Sequence, residues 1–293
     1  MELIKNIFIY LGSLDRRVIF LIVGLAVIFP LLKPEWFSLP IRPTPHSQRV
    51  FDEINKLESG NRVLLSFEYG PSTKPEIHPM SIALLRHMFS KNIIVYGIAL
   101  WPDGNFMSTD AFSEVAVEFN KKNGVDYVNL GYKPGGEVVI KGIVSDIRTL
   151  YTVDLNGTPI NELPAMQNVN SVVDFDFVFS LSAGTPGSKE WVQYACDPKG
   201  VPMSTGATSI QVTDIIPYVE NDQILGILAG MPGAAEYEQL VRVELEKKGL
   251  SIKPGEASSM MSAQSIAHLV IVLFIVLGNI TYYLTRNNKK GRI

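Results

Sequence analysis

The run VLLSF, Val63 to Phe67, is apolar apart from one serine. A helix-like segment, MSIALLRHMFSK, separates it from a second apolar run, IIVYGIAL, Ile93 to Leu100. Continuous apolar runs are typical of strands buried on both faces, as in a parallel sheet. The same alternation returns with three further runs: YVNLG (127–131), FDFVFSLSAG (175–184) and VPMSTGAT (201–208). We therefore predict an α/β domain with a mostly parallel, doubly wound sheet of about five strands.

Two other segments are too apolar for a water-facing surface. Val18 to Leu32 carries no charge between Arg17 and Lys33, and Ile266 to Leu284 has an ordinary spanning length. The pattern predicts one N-terminal and one C-terminal transmembrane helix flanking the domain. The predicted organisation is a cytoplasmic N-terminal segment (1–17), a first span (18–33), a Pro-rich spacer (34–46), the α/β domain (47–250), a linker (251–264), a second span (265–285) and a basic cytoplasmic tail (286–293).

The distribution of charge predicts the orientation. Lys and Arg flank both predicted spans on their outer sides, so the positive-inside rule places both termini in the cytoplasm and the main domain outside. Residues 34–264 contain 27 of the chain's 29 acidic residues and 18 of its 26 Lys and Arg residues. An excess of acid this large argues against nucleic acid as a partner.

Ligands of an open parallel sheet bind beyond the carboxyl ends of its strands. That rule selects five loops: EYGPST (68–73), WPDGN (101–105), GYKPGG (131–136), SAGTPGS (182–188) and TGATS (205–209). Their backbone N–H groups, hydroxyls and one lysine are suited to an anionic group. The candidate ligand-binding residues are Gly184, Thr185, Gly187, Ser188, Thr205, Gly206 and Lys133. The alternative is that these loops are ordinary turns that need glycine, since they match neither a P-loop nor the dinucleotide fingerprint.

No catalytic motif stands out, and we predict neither a cofactor nor a metal. Glu68 and His78 are the best candidates for a metal pair, but no third ligand lies at a recognisable spacing. FSLSAG lacks the G-x-S-x-G pattern of a nucleophile elbow. Cys196 is the single cysteine, and we expect it to be a small, half-buried hydrophobic residue and not a reactive thiol. The sequence thus leans away from an enzyme.

The segment from Ile224 to Val241 is unusually rich in small residues. Small side chains allow close backbone approach, either within the domain or by a partner subunit. The candidate contact residues are Gly226, Gly230, Gly233 and Ala234.

Polar residues interrupt the second predicted span. Gln264, His268 and Asn279 lie on one helical stripe, flanked by Gly278. Polar side chains in lipid are costly unless they meet another helix, so we expect a protein neighbour here. The first span offers Gly24 for packing but no hydrogen-bonding side chain between Val18 and Leu32, which favours a helix from another chain.

Two functions remain open at this point. The first is a non-enzymatic, doubly anchored subunit of a membrane assembly. It would be a homo- or hetero-oligomer that associates through the second span and the 226–235 segment, with the outward α/β domain used for binding or scaffolding. The alternative is a membrane-tethered enzyme or receptor that binds a small anionic ligand at the carboxyl ends of the strands.

Overall fold

The computed structural model of the chain describes residues 10, 15–37, 40–250, 252 and 255–290. The chain divides into two compact units, residues 41–258 and residues 1–40 with 259–293. Parts of the predicted N-terminal segment, spacer, linker and basic tail lie outside the described residues, as do the side chains of residues 285–290.

The domain is built on a parallel sheet of six strands, and the predicted α/β class is confirmed. The strands are β1 (Arg62–Glu68), β2 (Ile94–Ala99), β3 (Tyr127–Tyr132), β4 (Phe177–Ser182), β5 (Met203–Ala207) and β6 (Ile227–Ala229). Their spatial order is β3-β2-β1-β4-β5-β6, so the chain reverses its winding direction between β1 and β4. That reversal is the switch point, where ligands of such sheets bind.

The sequence predicts five of these strands and misses β6. Only three residues long, β6 pairs with β5 on one side, with Ile227 opposite Thr205 and Ala229 opposite Ala207. It lies inside the small-residue segment. A short edge strand has no room for the apolar run that marks the buried strands.

Helices of the 41–258 unit cover both faces of the sheet. The helices of both units are numbered together in chain order. They are α1 (Arg16–Leu32), α2 (Pro45–Lys56), α3 (Lys74–Ser90), α4 (Gly104–Glu118), α5 (Glu137–Ser145), α6 (Ile147–Leu150), α7 (Ser188–Trp191), α8 (Asp197–Lys199), α9 (Val212–Glu220), α10 (Gly230–Lys247) and α11 (Glu256–Lys290). A π-helical turn, Val192–Cys196, joins α7 to α8. Short 3₁₀ turns lie at Pro34–Trp36, Ile160–Glu162, Pro164–Met166 and Val172–Asp174.

Alternate residues of each strand face opposite helical layers, which is the period of a strand. Leu64 and Val178 point to the layer of α5 to α9, where they join a cluster that includes the fully buried Trp191. Their neighbours Leu65 and Phe179 are also fully buried, on the other side of the sheet. Burial on both faces explains why the strands read as continuous apolar runs.

By length and composition, one helix among the described residues is long and apolar enough to cross a membrane: Glu256–Leu284, within α11. The sequence predicts two spans. The first predicted span does form a helix, but α1 has 17 residues, or about 26 Å at 1.5 Å per residue. A hydrocarbon core is about 30 Å thick, so α1 is short for a span. The structure therefore supports one candidate span and not two.

The predicted linker 251–264 differs from the structure as well, because α11 begins at Glu256. The reason is a carboxylate of α10, Glu238, which accepts hydrogen bonds from the backbone N–H groups of Ala257 and Ser258. A helix start needs such acceptors for its free N–H groups. The sequence pattern did not reveal a cap supplied by another helix.

Candidate functional site

Loops from neighbouring strands meet over the carboxyl edge of the sheet. The indole Nε1 of Trp101, after β2, donates to the carbonyl oxygen of Pro186, after β4, at 2.9 Å. The same indole lies against Gly184. From the loop after β3, Gly136 approaches the Pro186 ring. Three of the predicted loops therefore close over the crevice between β1 and β4.

A row of hydroxyl side chains crosses the sheet beneath these loops. Ser66 on β1 is the register partner of Ser180 on β4, and Ser180 is the partner of Thr205 on β5. All three are fully buried. Ser188, at the start of α7, joins the row through the hydroxyls of Ser180 at 3.1 Å and Thr205 at 2.5 Å.

Glu68 completes this row at the end of β1. The Ser66 hydroxyl donates to one carboxylate oxygen, Oε1, and the Ser180 hydroxyl donates to the other, Oε2, at 2.9 Å. The indole Nε1 of Trp191 donates to Ser66 Oγ at 3.0 Å and to Glu68 Oε1 at 3.3 Å. These groups, with Ser188 and Thr205, form a set that we call the Glu68 network.

Burial controls the charge of this network. Glu68 has no exposed surface, and burial raises its pKa from 4.5 to about 8, although the donated hydrogen bonds act in the opposite direction. Tyr151 is also buried, and its hydroxyl has no hydrogen-bond partner among the described residues. Burial, and to a lesser extent the nearby Glu68, raises the pKa of Tyr151. Near neutral pH the Glu68 carboxyl is therefore mostly protonated. It is a neutral group that can hold a proton at the switch point.

The structure distributes the seven candidate ligand-binding residues unevenly. Ser188 and Thr205 belong to the Glu68 network, while Thr185 is exposed on the loop above it. Lys133 lies 5.6 Å from the centre of the Tyr151 ring, on the β3 side of the crevice. The three glycines are packed closely: Gly184 against Trp101, Gly187 against Ser182, and Gly206 against Met80.

Gly187 has a role within the loop itself. A side chain at this position would overlap the Ser182 hydroxyl and the Gly184 carbonyl oxygen, so the turn requires glycine. Its N–H donates to Glu190 at 2.7 Å. Substitution of Gly187 would therefore disturb the shape of the loop and would be a poor test of ligand binding alone.

Glu68 and His78, the pair considered for a metal, are engaged with different partners. The Nδ1 atom of His78 is 2.8 Å from the Tyr69 hydroxyl, and its Nε2 atom is 3.4 Å from Asp110. Burial lowers the pKa of His78 to about 4, with Lys74 acting in the same direction. Within the described part of the chain, His, Cys, Asp and Glu form no group of three that could hold a metal ion.

The small-residue segment packs against its own domain. A side chain at Gly226 would overlap Val50 of α2, and one at Gly233 would overlap the backbone of Leu228. Gly230 has a positive φ of 57° and lies against Ser209, while Ala234 is fully buried. Close backbone approach, expected from the composition, is thus realised between β6, α2 and α10.

The polar stripe of α11 is exposed on the isolated chain. The side chains of Gln264, His268 and Asn279 are exposed. Among the described residues, no atom lies within 4 Å of the position that a side chain at Gly278 would take. The Nδ2 atom of Asn279 donates to the carbonyl oxygen of Ile275 in the preceding turn, at 2.8 Å. Between these residues the stripe is apolar and equally open, since Val272 and Ile275 are 56% and 58% exposed.

Three members of the Glu68 network, Ser66, Ser180 and Trp191, are not among the residues predicted for a site. A signal was present, because single serines interrupt the apolar runs at VLLS(66)F and FVFS(180)L, and two hydroxyl residues follow Met203 in MST(205)G. Only the strand register, however, shows that they align in one row.

Comparison of the chain with models of protein families, with curated proteins and with solved structures gave no match.

Proposed function

We propose that this protein is a non-enzymatic, membrane-anchored subunit of a protein assembly, and that α11 forms the contact with its partner in the membrane. The observation that carries the proposal is the exposed stripe of Gln264, His268 and Asn279 on a helix apolar enough to span a bilayer. The α/β domain would bind or present other components.

The physical argument concerns the cost of polar groups in lipid. A side-chain amide or imidazole that faces hydrocarbon loses its hydrogen bonds to water, whereas one that faces a second helix replaces them. Asn279 satisfies one of its groups through Ile275, but its amide also carries a carbonyl oxygen that can accept from a partner. The open position at Gly278 gives that partner room for close backbone contact.

The number of membrane anchors and the orientation of the chain are part of the same proposal. Arg16–Leu32 would act as a second anchor, both termini would lie in the cytoplasm, and residues 47–250 would lie outside. The arrangement of Lys and Arg at the two ends supports this orientation. The 226–235 segment, in contrast, is occupied by contacts within its own domain, so we place the partner contact on α11 alone.

Changing His268 and Asn279 together to leucine should release the partner while leaving insertion intact, because the helix only becomes more apolar. Each interhelical hydrogen bond is worth roughly 0.6–2 kcal/mol, so the loss of two should weaken association about tenfold or more. The measurement is the mass of the particle extracted in mild detergent, by size-exclusion chromatography with light scattering.

The matched control is the pair Val272→Ala and Ile275→Ala, which trims apolar contacts on the same stripe and removes no hydrogen bond. It should retain more of the assembly than the double-leucine variant. If the double-leucine particle has the mass of the wild-type particle, the stripe does not hold a partner, and the proposal loses its main support.

A second candidate function is a membrane-tethered enzyme or receptor for a small anionic ligand. The observation that favours it is the Glu68 network, a buried carboxyl with a strongly raised pKa at the switch point of the sheet. Because that carboxyl is mostly neutral at pH 7, it would not repel an anion near Lys133 and Thr185. Saturable binding of a phosphate- or carboxylate-bearing compound that is lost in Lys133→Met would favour this candidate.

A further inference from the structure

Two carboxylates of α10 hold the two chain segments that enter and leave the domain. Glu236, on α10, accepts hydrogen bonds from the backbone N–H of Thr44 at 3.0 Å and from its hydroxyl at 2.7 Å. Thr44 is the N-cap of α2, where the chain enters the domain from the Pro-rich spacer. One carboxylate thus fixes the entry point.

Glu238 holds the exit point in the same way. Its carboxylate accepts from Ala257 N at 3.1 Å, from Ser258 N at 2.8 Å and from the Ser258 hydroxyl at 2.7 Å. These donors form the first turn of α11. Glu238 is only 8% exposed although it carries a carboxylate, and three donors from one turn offset the cost of burying it.

The close approach of the chain just before α11 to α10 depends on glycine. A Cβ at Gly255 would overlap the Glu238 carboxylate, so only glycine lets the chain pass this close. Beside this contact is a cleft of about 150 Å³, lined among others by His78, Arg86 and Glu114. There is consequently space next to the first turn of α11 into which a detached turn or a displaced side chain can move.

The position of α10 in the domain determines the position of the first turn of α11. α10 follows β6 directly and packs against α3, so its position is set by the sheet and the helical layer. A helix is usually capped by a residue at its own N-terminus, and that cap moves with the helix. Here the cap belongs to a different helix, so the start of α11 is tied to the position of α10.

From this geometry we infer that α10 is a clamp that couples the α/β domain to the first turn of α11, with Glu238 as the residue that holds that turn. A rearrangement that shifts α10, such as one caused by binding at the carboxyl edge of the sheet, would reach α11 through this contact. In such a rearrangement, Glu236 would keep its hydrogen bonds to Thr44 while the first turn of α11 separates from Glu238. The inference rests on contacts inside the domain and is independent of whether α11 has a partner.

The test is hydrogen–deuterium exchange of the full chain in detergent, read on peptides that cover residues 256–262. In Glu238→Ala the Ala257 and Ser258 amides lose their acceptor, so exchange of these peptides should quicken at least tenfold, whereas peptides from β1 and β4 should keep their protection. Glu238→Gln retains a carbonyl oxygen as acceptor and should restore part of the protection. Glu246→Ala is the matched control, because it removes an exposed carboxylate from the same helix.

A second variant reaches the same contact from the opposite side. Gly255→Ala leaves Glu238 in place but forces its carboxylate and the chain apart, and it should expose the same 256–262 peptides. If both Glu238→Ala and Gly255→Ala exchange like wild type over 256–262, the clamp is refuted. If Glu238→Ala loses protection throughout the domain, the result for Gly255→Ala decides between the outcomes. Loss of protection confined to residues 256–262 in Gly255→Ala supports the clamp, and wild-type protection of these residues overturns it.

Discussion

Replacing Glu68 with glutamine is expected to remove a pH dependence of stability on the order of 5 kcal/mol, the largest single effect that the structure implies. The pKa of Glu68 lies at about 8 in the folded protein against an ordinary value of 4.5, chiefly because the group is buried. Each unit of difference between the folded and unfolded pKa values corresponds to about 1.4 kcal/mol, which gives this order of magnitude.

The sign follows from proton binding. The folded state binds the Glu68 proton more tightly than the unfolded state, so raising the pH favours unfolding. Below about pH 4.5 the carboxyl is mostly protonated in both states and adds no ionisation penalty to the free energy of folding. Between about 4.5 and 8 the penalty grows, and above about 8 it is fully present. Wild-type protein should therefore lose stability as the pH rises from 5 to 9 by more than its exposed groups explain.

Urea unfolding of the full chain in detergent, repeated from pH 5 to pH 9, measures this effect. Glu68→Gln should be the more stable protein at pH 9 and should show a much flatter dependence on pH. Glu246→Gln, on an exposed side chain, controls for the loss of one negative charge. A Glu68→Gln curve parallel to that of wild type across this range would show that the carboxyl is not held neutral by burial.

Replacing Trp191 with alanine should destabilise the domain by about 3–5 kcal/mol, the range for a large aromatic residue removed from a core. Trp191 is fully buried in the layer of α5 to α9. Its indole also supplies the N–H that binds Ser66 and Glu68. The substitution therefore removes packing and a donor together, and a thermal melt followed by circular dichroism should show a clearly lowered Tm.

Two controls separate these contributions. Trp191→Phe keeps most of the ring but loses the N–H, so it should cost about 1–3 kcal/mol. Trp36→Ala removes a side chain that is 78% exposed and should change domain stability by no more than about 0.5 kcal/mol. A loss below about 1 kcal/mol for Trp191→Ala would contradict the role given to this residue in the network.

The sheet was largely predictable because its strands are buried on both faces. Val63–Phe67 and Ile93–Leu100 are almost entirely apolar, and such runs indicate strands of a parallel sheet without knowledge of the neighbouring strands. The strand β6 escaped because three residues at an edge carry no periodic pattern. The order of the strands, and with it the switch point between β1 and β4, depends on pairings that are not local in sequence.

The loops of the candidate site can be selected from the sequence, but the residues beneath them cannot. The rule for open sheets directs attention to the loops beyond β1, β4 and β5, and their role as a binding site stays a prediction. It selects Ser188 and Thr205, yet it does not reveal that Ser66 and Ser180 join them, because strand residues look like core until their register is known. The sequence offers Glu68 only as a candidate metal ligand, whereas in the structure its carboxylate accepts from donors on β1, β4 and α7.

The contacts made by Glu238 show a similar limit. In the sequence, Glu238 lies four residues before Arg242, which is the spacing of an exposed ion pair on a helix, and it therefore resembles a surface carboxylate. In the structure it is buried and caps α11. A cap supplied from a distant helix leaves no trace in the capped segment other than Gly255, and a single glycine in a linker has many explanations.

The most direct test of the proposed function is the mass and composition of the wild-type particle after extraction in mild detergent. Light scattering gives the protein mass, and mass spectrometry of the intact complex gives its components. We expect a particle that contains more than one protein chain, either a second copy or a different membrane protein, in contact with α11 through Gln264, His268 and Asn279. A uniform particle with a single 293-residue chain, obtained under conditions that preserve other membrane complexes, would contradict the proposal.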